Sequence, residues 1–235
     1  MPALAPHLPQ PIPAPLALGR PGAGYPWPWS VYRWLDGETA RRERIADLPA
    51  FAADLAAFLV ALQRIDTSGG PPPGPHSFCR GGPLATYDGE TRRALATLHG
   101  LVDARAAMAV WEAALAAPWY GPPVWFHGDV AVNNLLVRSG RLCAVLDFGC
   151  CGVGDPACDT VIAWTFLDSE SRAVFRAGLP IDDDTWVRGR GWALWKALIT
   201  LAEDQAHDSE KAVGSLRTIG ALLADAGFNR GDGES

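Results

Sequence analysis

Lysine is almost missing from this chain: only Lys196 and Lys211 occur, so nearly all of the positive charge is arginine. With a net charge of −6, that balance argues against a partner gripped through its phosphate backbone, and no nucleic-acid partner is expected. A cationic small substrate is electrostatically favoured instead. Long hydrophobic runs are absent too. No stretch of about eighteen apolar residues is free of charge or proline, so no membrane partner is expected. Met1-Pro2-Ala3 lacks the basic start of a secretory signal, which makes the cytoplasm the expected compartment. Cysteine is scarce and odd in number, with Cys79, Cys143, Cys150, Cys151 and Cys158 showing no C-x-x-C spacing. Buried, reduced thiols are the expectation. A zinc site or redox pair among Cys143, Cys150, Cys151 and Cys158 is the alternative. No internal repeat is visible.

What is present is enough apolar sequence, 49% of 235 residues, for one large core or two small ones. Proline and glycine dominate Pro2 to Pro28, and repeated proline fixes φ and removes donors, so no helix is expected there. Extended connectors or an edge strand are expected instead. Gly19-x-x-Gly22-x-Gly24 has no following Lys-Ser/Thr or helix, so it reads as a turn between two strands, not a phosphate loop. "SVYRWL", Ser30 to Leu35, reads as a strand ending at the turn Asp36-Gly37.

From Asp47 to Ile65 the apolar residues Phe51, Leu55, Phe58, Leu59, Leu62 and Ile65 recur at three-to-four spacing, behind an Asp47 cap and with Pro49 in the first turn. This predicts an amphipathic helix. Further helices are predicted over Thr91 to Ala117, Asp155 to Leu167, Ser169 to Ala177, Asp184 to Ala206 and Asp208 to Ala226. Trp186, Trp192 and Trp195 are expected in the core.

The segment "WFHGDVAVNNLLVRSGRLCAVLDFGCCGVGDPACD" carries the chemistry. Val124-Trp125-Phe126 reads as a strand that stops at His127-Gly128-Asp129. Leu135 to Val137 and Leu142 to Leu146 read as two more, and a tight turn at Gly140-Arg141 would pair Ser139 with Leu142 and Asn134 with Asp147. An amide oxygen and a carboxylate then share one open end, two hard ligands suited to Mg²⁺. Asp129 leads into the same end, where a carboxylate can accept a hydroxyl proton.

His127-Gly128-Asp129 with Asn134, Leu146-Asp147-Phe148-Gly149, and Gly154-Asp155-Pro156 with Asp159 resemble the H-G-D-x-x-x-x-N, [I/L]-D-[F/W]-G and G-D-P-x-x-D motifs of the aminoglycoside phosphotransferase family. That family shares the protein-kinase-like fold. "GYPWPWSVYRWLDGE" resembles its strand and hinge. The resemblance implies an α+β, kinase-like fold, mainly the helical C-terminal lobe (38–235) with a small β-hairpin, plus a remnant of the N-terminal lobe and hinge (1–37). It implies Asp129 as the catalytic aspartate, Asn134 and Asp147 as magnesium ligands, and His127 and Asp159 as braces of the catalytic loop. Arg33, Trp34 and Leu35 would be the adenine-binding hinge and Leu136 the apolar floor beneath the base.

The implied reaction moves the γ-phosphoryl of ATP, with GTP as the alternative, onto a hydroxyl of a small molecule. Aminoglycosides are the name-giving acceptors, and antibiotic resistance is the associated trait. Asp182, Asp183, Asp184, Glu203, Asp204 and Asp208 are candidates to line a cationic acceptor's site, although a solvated helix start is the simpler role for Asp182 to Asp184. Ala131 replaces the lysine that protein kinases carry in this loop, which argues against a protein acceptor.

A complete member also has a strand lysine, a partner glutamate and a glycine-rich phosphate loop. Neither Lys196 nor Lys211 has that context, and Met1 resembles a start inside the small lobe. The expectation is a late-starting gene model or a naturally short protein, with weak or absent turnover and an exposed apolar surface at Val31 to Leu35. Alternatives are a macrolide, choline or homoserine type of kinase, or a non-catalytic, pseudokinase-like binding module.

Overall fold

Asp47 starts the first long helix by accepting the Ala50 N–H at 2.9 Å, with Pro49 in the first turn where a missing donor costs nothing. A computed structural model describes residues 2–204 and 209–228. In chain order the strands are β1 (Pro15–Gly19), β2 (Trp29–Tyr32), β3 (Glu38–Thr39), β4 (Val124–Phe126), β5 (Leu135–Arg138), β6 (Arg141–Val145) and β7 (Gly152–Gly154). The helices are α1 (Leu48–Gln63), α2 (Asp88–Thr97), α3 (Ala104–Ala116), α4 (Ile162–Thr165), α5 (Ser169–Gly178), α6 (Asp183–Glu203) and α7 (Glu210–Asp225). Helices dominate and the strands form three small antiparallel groups, β1-β2, β3-β5-β6 and β4-β7. The architecture is α+β and kinase-like, as expected.

The core sits among the helices. Phe51, Leu55, Phe58, Leu59 and Leu62 bury one face of α1, which packs on α5 and against β4 and β6. Helix α6 runs through the middle, against α3, α7 and a 3-10 turn at Pro156–Thr160, with Trp186, Trp192, Leu194, Leu198 and Leu201 buried. Arg188 of α6 is buried in a fork with Asp155, at 2.6 and 3.1 Å, and also reaches Pro118 O. That pair ties the helical region to the end of β7.

Several boundaries differ from the sequence reading. The proline-rich start contains a short 3-10 turn at Ala5–His7, and it is anchored: Leu4 and Ile12 are buried, and Pro11 O accepts the Val145 N–H. The anticipated strand Ser30 to Leu35 is β2, ending at Tyr32; the chain leaves the ladder once the Arg33 N–H has donated to Ala14 O. The turn foreseen at Gly19 to Gly24 does join two strands, β1 and β2. Thr91 to Ala117 is two helices, broken where Gly100 takes φ +82 and Asp103 caps α3 through the Ala106 N–H. Asp155 to Leu167 is a 3-10 turn followed by one turn of α4, because Asp155 and Thr160 bond back into the turn while Asp159 reaches outward to the His127 N–H. The remaining helices agree to within a few residues, Ala206 and Asp208 lying outside the described residues.

The β1-β2 hairpin is exposed on the molecule, with Leu18 at 84% and Trp34, just beyond it, at 85% of full accessibility. Val31 and Tyr32 are exposed as expected, whereas Leu35 is half-buried. Among the described residues no helix is long and apolar enough to cross a membrane.

Candidate active site

Strand β4 delivers the chain to His127, where Gly128 turns it with φ +83. A side chain at Gly128 would put its Cβ 2.6 Å from Cys150 O, so only glycine fits both the torsion and the space. Fully buried Asp159 holds this turn, accepting the N–H groups of His127 and Gly128, each at 2.7 Å. Burial pushes its carboxyl up from the usual range, and His127 and the two N–H bonds oppose that rise.

His127 is buried and its ring is bonded at both nitrogens. Nδ1 accepts the Asp129 N–H at 3.2 Å and Nε2 lies 2.8 Å from Leu146 O, which fits the neutral tautomer protonated on Nε2. Phe148 packs edge-on against the imidazole, 4.6 Å between ring centres. His127 and Asp159 thus both bond to the backbone of the His127–Asp129 turn.

Asp129 stands half-exposed beyond the turn. Asn134 Nδ2 donates to Asp129 O at 2.9 Å and to Asp129 Oδ2 at 3.0 Å. The hairpin brings Asp147 to the same end, but its register differs from the one anticipated. Ser139 and Gly140 both take positive φ, so the turn is centred one residue earlier than Gly140-Arg141, and Arg138 pairs with Arg141. An irregularity between Leu136 and Val137 then restores part of the offset. Asn134 O accepts the Leu146 N–H at 2.7 Å, so Asn134 lies opposite Leu146, with Asp147 the next residue along.

Asp147 adopts the left-handed conformation, φ 57 and ψ 70, and its Oδ1 accepts the Gly149 N–H at 3.2 Å. The strained backbone turns an exposed carboxylate out at the end of the ladder. An amide and a carboxylate one ladder step apart fit Mg²⁺, which takes one or two protein ligands and leaves its other positions to water and phosphate oxygens. No cluster of three or more His, Cys, Asp or Glu suited to an all-protein metal cage exists among the described residues. The cysteine metal site considered above is therefore not formed. Instead, burial raises the thiol pKa values of Cys143, Cys150 and Cys158, and that of Cys151 to about 12.

Two cavities flank this network. The first, of about 680 Å³, is lined by Arg33, Trp34, Leu35, Leu136, Leu146 and Asp147, among others. All four expected nucleotide-contacting residues and one expected metal ligand therefore share one space. The backbone groups of Trp34 and Leu35 have no backbone partner among the described residues. The second cavity, of about 260 Å³, borders the Gly128–Val132 loop and is lined by Asp129, Ala131, Arg80, Trp192, Trp195 and Lys196, among others.

Four of those residues escaped the sequence reading as site residues. Arg80, in the loop before α2, places Nη2 3.8 Å from Asp129 Oδ1. Trp192 and Trp195 are core residues, as expected, yet they also form a cavity wall. Lys196 was noted only as unsuited to a phosphate-gripping role. Its spacing from Trp192, one turn of α6, was the available signal. Conversely, Asp182, Asp183, Asp184, Glu203 and Asp204 line neither cavity. Asp182 caps α6 and Asp183 pairs with Arg176. Asp208 lies outside the described residues.

A family model described as "Phosphotransferase enzyme family" matches residues 1–195. No curated protein matches the chain. Among solved structures, the GDP and kanamycin complex of APH(2")-IIia aligns with TM-score 0.68 at 18% identity, covering 95% of this chain and 80% of its own. A thermostable mutant of aminoglycoside phosphotransferase APH(4)-Ia, apo form, aligns with TM-score 0.56 at 20% identity, covering 94% and 79%. Macrolide 2'-phosphotransferase MphH from Brachybacterium faecium aligns with TM-score 0.50 at 21% identity, covering 93% and 75%. With the motifs brought together on a kinase-like fold and the family model spanning most of its length, the chain belongs to the phosphotransferase enzyme family.

Proposed function

We propose that this protein transfers the γ-phosphoryl group of ATP, with GTP as the alternative donor, to a hydroxyl of a small molecule. One observation carries the reading: Arg33, Trp34, Leu35 and Asp147 line one cavity, and Asp129, which Asn134 Nδ2 reaches at 3.0 Å, lines another. A donor and an acceptor would meet there.

In this reading Arg33, Trp34 and Leu35 bond the base edge, Leu136 lies beneath the base, and Asn134 and Asp147 hold Mg²⁺. The ion, when bound, neutralises charge on the phosphates. Asp129 accepts the proton of the acceptor hydroxyl. A bond forms from that oxygen to the γ-phosphorus, the bond from the γ-phosphorus to the β–γ bridging oxygen breaks, and ADP leaves. His127 and Asp159 keep the Asp129 loop in place and touch no reactant. Residues 1–37 serve as small-lobe remnant and hinge, residues 38–235 as the catalytic lobe. An ATP-dependent enzyme of this kind belongs in the cytoplasm.

The test is Asp129→Asn, compared with the wild type for binding of Mg²⁺-ATP and for transfer from γ-labelled ATP to a panel of hydroxyl compounds, kanamycin included, and to water. Nucleotide affinity is expected to stay within about threefold while transfer falls about a hundredfold or more, the range for loss of a positioned base. Equal transfer by both proteins contradicts the assignment.

A further inference from the structure

The second cavity differs in character from a site for a polycation. Among the described residues its charged lining is Asp129, Arg80 and Lys196, two positive groups against one negative, and the negative one is already faced by Arg80 at 3.8 Å. Lys196 is exposed on α6 and has no carboxylate within salt-bridge distance among the described residues. Of the acids expected to attract a cationic acceptor, Asp182, Asp183, Asp184, Glu203 and Asp204 do not line it, Asp182 capping α6 and Asp183 pairing with Arg176.

Apart from Thr165, the rest of the wall is largely apolar. Trp192 and Trp195 form one side, fixed by Tyr87, whose ring lies 4.1 Å from Trp195 and 5.9 Å from Trp192, and by the Trp195 indole donating to Glu90 at 2.7 Å. The indole N–H of Trp192 is buried without a partner. At about 260 Å³ the space falls just below the range of about 300–1,000 Å³ typical of drug-sized ligands, so it suits one ring or a short chain.

Resting on the phosphotransfer reading, we propose that the acceptor is a compact hydroxy acid: an apolar ring or chain against Trp192 and Trp195, its hydroxyl at Asp129 and its acidic group toward Lys196. Polyamines are disfavoured because each ammonium entering the cavity meets the like charges of Arg80 and Lys196.

Two probes of one shape separate the alternatives. Meta-hydroxymethylbenzoate and meta-hydroxymethylbenzylamine share ring and hydroxyl and differ in the sign of charge. Each is titrated by ligand-observed NMR into the full chain and into Lys196→Glu, a substitution at an exposed position, with Mg²⁺-ATP titrated into the same samples. The benzoate is expected to bind the wild type at least about tenfold tighter than the amine, equivalent to about 1.4 kcal/mol, and Lys196→Glu is expected to reverse the order. Equal or tighter binding of the amine, a preference that ignores Lys196→Glu, or no binding of either probe overturns the proposal. Failure of Mg²⁺-ATP to bind a chain that still prefers the benzoate counts instead against the phosphotransfer reading.

Discussion

Gly128 separates a buried histidine from a half-exposed aspartate, and it does so by a backbone torsion of +83 that side chains resist. Replacing it with alanine adds left-handed strain and a Cβ 2.6 Å from Cys150 O, a backbone atom that cannot rotate away. Gly128→Ala is expected to cost about 2 kcal/mol in unfolding free energy, read from urea midpoints, with an unchanged slope. A loss below about 0.5 kcal/mol would mean that the loop relaxes freely. The bracing role proposed for His127 and Asp159 rests on the same turn: one fills both ring nitrogens with backbone partners, and the other accepts the two N–H groups the turn exposes. These roles were legible in the sequence only through the motif resemblance. Arg80 was not legible, because nothing in its proline- and glycine-rich loop signals that the chain returns to Asp129.

At the level of elements, local signals placed most of the helices. Asp47, Asp168, Asp182 and Ser209 each cap a helix through a backbone N–H, and α1 repeats its apolar residues at the helical period. Where the reading went astray, a backbone torsion decided. Gly100 breaks what looked like one helix, and the Ser139-Gly140 turn shifts the hairpin by a residue. Neither torsion is dictated by hydrophobic pattern, since alternation survives a shift partly restored by the irregularity after Leu136. The buried Arg188–Asp155 fork lies beyond any local signal, its partners being 33 residues apart. Both side chains are more than nine-tenths buried, at 7% and 6% exposure, so removing one strands a charge in the core. Arg188→Ala is expected to lower unfolding free energy by about 3–5 kcal/mol in chemical denaturation. A loss under about 1 kcal/mol would show that water reaches Asp155 and that the fork does not join α6 to β7.

Across the whole molecule, one loop, Gly128 to Val132, forms part of the second cavity, and the hairpin that follows it carries Leu136 and Asp147 into the first. The first cavity gathers residues 33 to 37 from one end of the chain and Leu136 to Gly149 from its middle, which no periodicity encodes; the resemblance alone joined them in the sequence. In the proposed function this gathering makes a metal–nucleotide site with Asp147 at its edge. Calorimetric titration of the wild type and Asp147→Ala with ATP, each with Mg²⁺ and with a chelator, addresses it directly. Saturable binding by the wild type that weakens at least about tenfold in Asp147→Ala, and likewise when Mg²⁺ is removed, is the predicted result. Equal affinity in the two proteins, or binding indifferent to Mg²⁺, would contradict the account.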